Sequence, residues 1–178
     1  MEVLDVAVAK ASRRRATLVA WIGEQPDARS AGATLVRELE ALLDDDELAQ
    51  LLDADDLWTP LANLAEASDG RTASTLWAWA SVAANVRGAL ADHASDFALR
   101  AVREDPSHKV AWRAFEACVT GDRVEPTIWE ALDEWCGAAS GRATFAARAI
   151  RALDRGAQGW IDPRDNDRLR EAKRRAAA

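Results

Sequence analysis

The stretch ASTLWAWASVAANVR, residues 73–87, decides the fold class of this chain. Its apolar residues fall on nearly every side of a helix, and helices of this kind usually lie at the centre of a domain. Trp77 and Trp79 are two positions apart, so on a helix their side chains point about 200° away from each other. Neighbouring elements must cover both of them, and we therefore predict a central, buried helix.

Apolar residues continue at helical spacing on both sides of this stretch. Leu35, Leu39 and Leu42, for example, recur at the i, i+4 and i+7 positions of one helical face. No segment has the period-two alternation that is typical of a strand. We predict an all-α fold, a compact stack of helical hairpins with about nine or ten helices and no sheet. The segments with the clearest helical spacing are 3–23, 30–43, 73–87, 94–104, 109–119 and 142–155.

The length and charge of the chain suit one globular domain. It has 178 residues and a formal net charge of −7, and an acidic surface disfavours non-specific binding of nucleic acid. We predict a single all-α domain over 1–162 and a charged C-terminal helix or tail over 163–178. Leu169 is the only large apolar residue of that tail, so we expect the tail to be solvated and to lie outside the core.

The sequence carries no signal for a membrane or an oxidising compartment. No run of eighteen apolar residues is present, and the first residues lack the basic region of a secretory signal. Cys118 and Cys136 are too few for a disulfide framework. We expect a cytoplasmic protein without a membrane partner, with a mature secreted form as the alternative.

Small residues and a proline recur between Gly88 and Trp112 at spacings close to those of a helix–turn–helix repeat of about 34 residues. Ala94 and Ala101 fall where two antiparallel helices would press together, and Pro106 follows the second helix. This segment resembles a single tetratricopeptide-like hairpin. The resemblance implies a scaffold or a binding surface.

A second resemblance covers residues 73–132. The segments that carry it are Leu76-Trp77-Ala78-Trp79, Ala98-Leu99-Arg100-Ala101-Val102, Asp105-Pro106 and Pro126-Thr127-Ile128-Trp129. Together they resemble the helical C-terminal part of an actinobacterial domain-of-unknown-function family. Because that family has no assigned activity, the resemblance implies an all-α unit and transfers no catalytic residue.

A group of acidic residues is the sharpest candidate for chemistry. Its members are Asp44, Asp45, Asp46, Glu47, Asp53, Asp55 and Asp56. Carboxylates at this density can hold Mg²⁺ or Ca²⁺, so a metal-dependent enzyme is one alternative function. The group lacks the loop pattern of an EF-hand, however, and it stands at two predicted helix breaks. We therefore predict that these residues cap helices and that no metal site is present.

Cys118 with His108 or His93 is the nearest approach to a thiolate–imidazole pair. His108 precedes Cys118 by ten residues, so local sequence does not bring them together. Free cysteines are commonly small buried hydrophobic residues. We therefore expect structural roles for Cys118 and Cys136, and we assign no catalytic or cofactor-binding residue.

Basic residues concentrate at Arg13-Arg14-Arg15 and in the C-terminal tail. They suggest a second alternative, a nucleic-acid-associated protein, which we do not favour because acidic residues lie nearby. We expect instead a non-enzymatic protein–protein interaction or regulatory domain, such as an adaptor or inhibitor. Its partner is another protein, and the sequence leaves the oligomeric state open. Since tryptophan and arginine often anchor interfaces, the possible partner contacts are Trp160, Arg168, Arg170, Arg174, Arg13 and Arg14.

Overall fold

The computed structural model describes residues 14–53, 56–85, 91–119, 124–137, 143–156 and 163–176. Over these residues the chain forms ten helices and no strand, which confirms the predicted all-α fold class. The helices are α1 (14–24), α2 (Ala28–Leu42), α3 (Asp45–Leu52), α4 (Trp58–Glu66), α5 (Gly70–Asn85), α6 (Ala91–Glu104), α7 (Lys109–Cys118), α8 (Pro126–Gly137), α9 (Ala143–Gly156) and α10 (Pro163–Ala176).

Helix α5 lies at the centre of the fold, as its sequence predicts. Between Ala73 and Ala84 every residue except Val82 is buried. Helices α2, α3, α4, α6 and α7 pack around it. Trp77 and Trp79 are 4% and 2% exposed, so the prediction that both are covered is confirmed.

Helices α5 and α6 pack antiparallel along a seam of small residues. The Ser74 hydroxyl donates a hydrogen bond to the carbonyl of Ala101 at 2.8 Å. Seven residues further on, the Ser81 hydroxyl donates to the carbonyl of Ala94 at the same distance. The prediction that Ala94 and Ala101 lie between antiparallel helices is confirmed, whereas Gly88 lies outside the described residues. The seam consists of Ser74, Ala78, Ser81, Ala94, Ala98 and Ala101, all buried.

The turn between α6 and α7 is closed by side-chain hydrogen bonds. Helix α6 ends at Glu104, directly before Asp105-Pro106. The Asp105 carboxylate accepts hydrogen bonds from the backbone N–H and the hydroxyl of Ser107, at 3.0 and 2.6 Å. The Trp112 indole N–H then donates to the Pro106 carbonyl at 2.9 Å. The spacing of Pro106 and Trp112 therefore reflects a direct contact across this turn.

Helix α2 reaches the core through a close approach at Gly32. A Cβ atom at this position would lie 2.7 Å from Ser68 Oγ and 3.0 Å from Leu76 Cδ1. Both distances are shorter than ordinary carbon contacts, so a larger residue would have to displace the side chain of Ser68 or of Leu76. Glycine therefore lets α2 approach these two side chains closely.

Helix α10 packs against the core, which corrects the expectation of a solvated tail. Leu169 and Ala172 are buried, and α10 contacts α8 and α9. Lys173 Nζ lies 2.6 Å from Asp154 Oδ1, and Arg175 forms an ion pair with Asp133. A leucine and an alanine three residues apart give a polar helix one narrow apolar stripe, which is enough to dock when neighbouring helices offer an apolar surface. The division of the chain at residue 162 stays a prediction.

We expect alanine at Trp77 or Trp79 to lower the free energy of unfolding by about 3–5 kcal/mol, the usual cost of deleting a buried large aromatic side chain. Val82→Ala on the same helix should change it by less than about 0.5 kcal/mol, because Val82 is partly exposed. Urea denaturation measures all three variants. Equal midpoints for Trp77→Ala and Val82→Ala would contradict the burial of Trp77.

We expect Leu169→Ala to lower the free energy of unfolding by about 2–4 kcal/mol, because Leu169 is only 4% exposed against α8 and α9. Arg170→Ala, on the solvent side of the same helix, should change it by less than about 0.5 kcal/mol. Deleting 163–178 should likewise lower the melting temperature. If the deletion left the melting temperature unchanged, α10 would not contribute to the core.

Candidate functional site

An apolar groove lies between α1 and α2. The connection between these helices is residues 25–27, and side chains of both helices line the groove. Gln25 ends α1 by bonding through its side-chain amide to the Trp21 carbonyl at 3.1 Å. Asp27 begins α2 by accepting a hydrogen bond from the Arg29 backbone N–H at 3.1 Å. The resulting hairpin holds the two walls of the groove.

The groove has a volume of about 670 Å³ and is open to solvent along one side. Its α1 wall comes from positions 14, 17, 18 and 21, and its α2 wall from positions 34, 35, 38, 39 and 42. Both sets follow the three- and four-residue spacing of one helical face. Leucines and a tryptophan form the apolar lining, which consists of Leu18, Trp21, Leu35, Leu39, Leu42, Leu43 and Leu51.

Leu42 stands exposed at one end of the groove. It is 70% exposed, and among the described residues only Val82 is another large hydrophobic side chain in the exposed class. Burial of apolar surface such as a leucine side chain lowers the free energy by about 25 cal/mol per Å². The groove therefore leaves apolar side chains, Leu42 among them, in contact with solvent.

Charged and polar side chains border this apolar lining. On the α1 side, Arg14 Nη1 lies 3.5 Å from Glu47 Oε1, in a pair that remains largely exposed. On the α2 side, the Glu38 carboxylate lies 3.0 Å from Arg37 Nη2. Each edge of the groove therefore carries an exposed ion pair.

The six predicted partner contacts do not form one surface. Arg14 lies at the edge of the groove, whereas Arg168, Arg170 and Arg174 lie on α10, which packs on α8 and α9. Arg168 lies over the ring of Trp129, with its guanidinium carbon 6.0 Å from the ring centroid. Arg170 and Arg174 pair within α10, with Asp167 at 3.3 Å and with Glu171 at 2.7 Å. The other two predicted contacts, Arg13 and Trp160, lie outside the described residues.

The acidic group supplies a helix cap at the first predicted helix break, which is the start of α3. It supplies none at the second, which is the start of α4. Asp44 is the N-cap of α3, and its side chain accepts a hydrogen bond from the Glu47 backbone N–H at 2.8 Å. Asp53, by contrast, is the C-cap of α3, and the N-cap of α4 is Leu57, which makes no side-chain capping bond. The capping prediction is therefore wrong for α4. The physical reason is that Leu57 is fully buried, so its packing takes the place of a polar cap.

Within the described ranges, no three histidine, cysteine or carboxylate side chains lie close enough together to hold a metal ion. Asp55 falls outside those ranges.

The two cysteines and His93 each contact a different neighbour in the fold. Cys118 Sγ lies 3.6 Å from Ser81 Oγ, and burial raises the pKa of its thiol. Cys136 Sγ donates to the Ala172 carbonyl at 3.8 Å, and burial raises its thiol pKa as well. His93 stacks on Trp58 with the ring centroids 5.3 Å apart. A raised thiol pKa disfavours the nucleophilic thiolate, so these contacts support structural roles for both cysteines.

A buried pair that the sequence analysis missed joins α5 to the start of α7. His108 Nδ1 lies 3.0 Å from Ser74 Oγ, and both side chains are buried. Because Ser74 gives its one hydroxyl hydrogen to Ala101, we assign the proton of the imidazole to Nδ1. His108 Nε2 is buried without a hydrogen-bond partner. A serine beside a histidine can serve as a nucleophile and its base. Here both side chains are buried, so a substrate cannot reach them.

The sequence signal for this pair was Ser74, one of three polar residues between Ala73 and Ala84 in the central helix. Burial lowers the pKa of His108 from 6.5, because it penalises the charged imidazolium. The nearby charge of Arg71 adds to this lowering, whereas Asp105 and Glu40 oppose it. His108 therefore stays neutral in the folded protein at neutral pH.

In comparisons with known proteins, no family model, curated protein or solved structure matches this chain. The resemblances to the actinobacterial family and to the tetratricopeptide-like hairpin stay predictions. In the part of the chain that the structure describes, no helix has the length and apolar character needed to cross a membrane.

We expect the free energy of unfolding to fall as the pH is lowered below about 6.5, because the unfolded chain then binds a proton that folded His108 does not. His108→Asn keeps a donor toward Ser74 and should remove most of this loss. His93→Asn, at the exposed histidine, is the matched control and should keep it. Urea denaturation between about pH 7.5 and about pH 5.5 measures the effect. An unchanged pH dependence in His108→Asn would contradict the buried neutral imidazole.

Proposed function

We propose that this protein is a non-enzymatic protein–protein interaction domain whose groove between α1 and α2 receives the apolar face of a partner helix. The observation that carries the proposal is the open, leucine-lined groove with Leu42 70% exposed at its end. Covering this surface would remove apolar area from water, which is the main driving force of protein association.

The shape of the groove favours a helix as its occupant. Helices α1 and α2 form its walls, and the lining residues follow a helical repeat on each wall. A third helix with apolar residues at i, i+3 or i+4, and i+7 can lay its side chains between such walls, as in the helix-in-groove mode of recognition. An adaptor or inhibitor that acts in the cytoplasm by capturing such a helix fits this arrangement.

The side chains that were candidates for catalysis or metal binding support an interaction domain over an enzyme. Asp44 is engaged as a helix cap, Cys118 is buried beside Ser81, and His108 is sealed inside the core. Each of these groups has a structural partner or position, so none is presented to a substrate.

Nucleic-acid binding is less favoured for a similar reason. Lys173 and Arg175 on α10 are paired with Asp154 and Asp133 of neighbouring helices. Binding to phosphates would require these cations to leave their carboxylates, which lowers the gain from counterion release. The net charge of −7 adds long-range repulsion.

We expect a photo-crosslinking amino acid at Thr17, on the α1 wall of the groove, to form adducts with a partner chain in cells. The same group at Val82, on the exposed face of α5, is the control and should form far fewer. Adding Leu42→Asp should reduce the Thr17 adducts about tenfold, because a charge then stands in the apolar surface. Gel electrophoresis and mass spectrometry detect and identify the adducts. Equal adduct yields at the two positions would count against the groove as a binding site.

A further inference from the structure

We propose that α7 and α9 form a binding site for a phosphate group, free or on a phosphorylated side chain, and that Arg148, Arg151 and Arg155 hold it. The three arginines lie on α9, and the neighbouring surface of α7 comes from Trp112 and Glu116. This site shares no residue with the groove between α1 and α2. It therefore goes beyond the proposed function and is tested separately from it.

The three arginines share one face of α9. On an α-helix, positions 148, 151 and 155 lie within about 60° of one another around the axis. Two contacts place this face against α7: the Arg148 guanidinium lies over the ring of Trp112, and Arg155 Nη2 lies 2.7 Å from Glu116 Oε1. Arg151 is exposed and comes between these two arginines in the chain.

Trp112 holds the guanidinium of Arg148 in place. The guanidinium carbon is 4.5 Å from the centroid of the Trp112 ring, within the range of a cation–π contact. The ring is buried, and its N–H donates to the Pro106 carbonyl, so the platform is fixed. A ring face does not use the guanidinium N–H groups as a carboxylate does. These donors are therefore positioned and available to an acceptor.

The positive charge of this face is only partly balanced. In the part of the chain that the structure describes, the one carboxylate in an ion pair with the three arginines is Glu116, and it pairs with Arg155. The acidic residue of α9, Asp154, pairs instead with Lys173 of α10 at 2.6 Å. The other two arginines of the face therefore have no carboxylate partner among the described residues.

The three arginines also repel one another. Burial lowers the pKa of Arg148 below its ordinary value, and the charge of Glu116 opposes this lowering. The neighbouring positive charges of Arg151 and Arg155 lower the pKa further. Arginine nevertheless stays charged at neutral pH. An anion bound among these side chains would relieve the repulsion, because it would place a negative charge near all three.

The unbalanced charge favours a phosphate group over a carboxylate. A phosphate monoester carries a charge of about −1.5 to −2 at pH 7 and has three strong acceptor oxygens. It can take a bidentate pair of hydrogen bonds from one guanidinium and a further bond from a second. Positions 148 and 151 are neighbours on the helix surface, so their side chains can reach one group. Arginine clusters recognise phosphorylated motifs of partner proteins in this way.

An NMR titration of the full chain tests the site. The probes are inorganic phosphate and the peptide acetyl-alanyl-phosphoseryl-alanine amide. The guanidinium Nε–Hε signals of Arg148 and Arg151 should shift saturably, with a dissociation constant at or below about 1 mM at low ionic strength. The matching glutamate peptide should bind about tenfold more weakly, because its charge is smaller. Tighter binding of the phosphopeptide than of inorganic phosphate identifies a phosphorylated protein as the ligand, and the reverse identifies free phosphate.

Variants of single charges test which residues bind. Arg151→Ala, at an exposed position, should weaken phosphate binding about tenfold without affecting folding. Arg148→Lys should also weaken it, because lysine keeps the charge but loses the bidentate donor. Glu116→Gln should strengthen it, because Arg155 is then released from its ion pair. Arg170→Ala, at an exposed arginine of α10, removes the same charge and should leave binding unchanged.

Several outcomes would overturn the proposal. One is the absence of a saturable shift at Arg148 and Arg151 up to about 20 mM phosphate. Another is an equal loss of binding in Arg170→Ala and Arg151→Ala, which would show a diffuse effect of charge. Equal affinity for the glutamate peptide would assign the site to acidic segments instead. Tighter binding of a single-stranded oligonucleotide that also depends on Arg151 would assign it to nucleic acid.

Discussion

The structure depends on the close approach of α5 and α6. Ser74 and Ser81 on α5 each donate a hydrogen bond to a backbone carbonyl of α6, and the accepting residues, Ala101 and Ala94, are also seven positions apart. The remaining seam positions are alanines, so the two backbones come together without large side chains between them. Serine serves here because its small hydroxyl both fits the seam and satisfies its own hydrogen-bonding need inside the core. A larger residue at either serine would separate the helices on which α2, α4 and α7 pack.

The seam also explains why chemically suggestive residues act structurally. Ser74 holds His108 at its Nδ1, and Ser81 lies against the Cys118 thiol, so both groups are drawn into the packing of α7 on α5. The helices near the ends of the described chain depend less on the seam. Helix α10 docks by a narrow stripe and ion pairs, and the α1–α2 hairpin leaves apolar lining open to solvent. The open apolar lining therefore lies at the edge of the helical stack, between α1, α2 and Leu51 of α3.

Local patterns predicted the elements but not which of their faces meet. The apolar run around Trp77 indicated a buried central helix, and Asp105-Pro106 indicated the end of α6, because both depend on interactions within a few residues. The pattern Leu35, Leu39, Leu42 indicated one face of α2. It did not reveal that part of this face lines an open groove, since that depends on how far α1 and α3 cover it. For the same reason one leucine in α10 was too weak a sequence signal to predict docking.

The sequence by itself determined the helical fold, the central position of α5 and the capping role of Asp44, because periodicity, side-chain size and short-range hydrogen bonding act within one segment. Only the tertiary structure decided the pairing of Ser74 with His108, the docking of Leu169 and the groove beside Leu42. Each of these joins residues that are far apart in the chain, and its energy depends on the distance and the solvent exposure that packing creates. Residue type limits what a side chain can bind, and the fold decides whether that side chain meets another residue of its own chain or remains open to a partner.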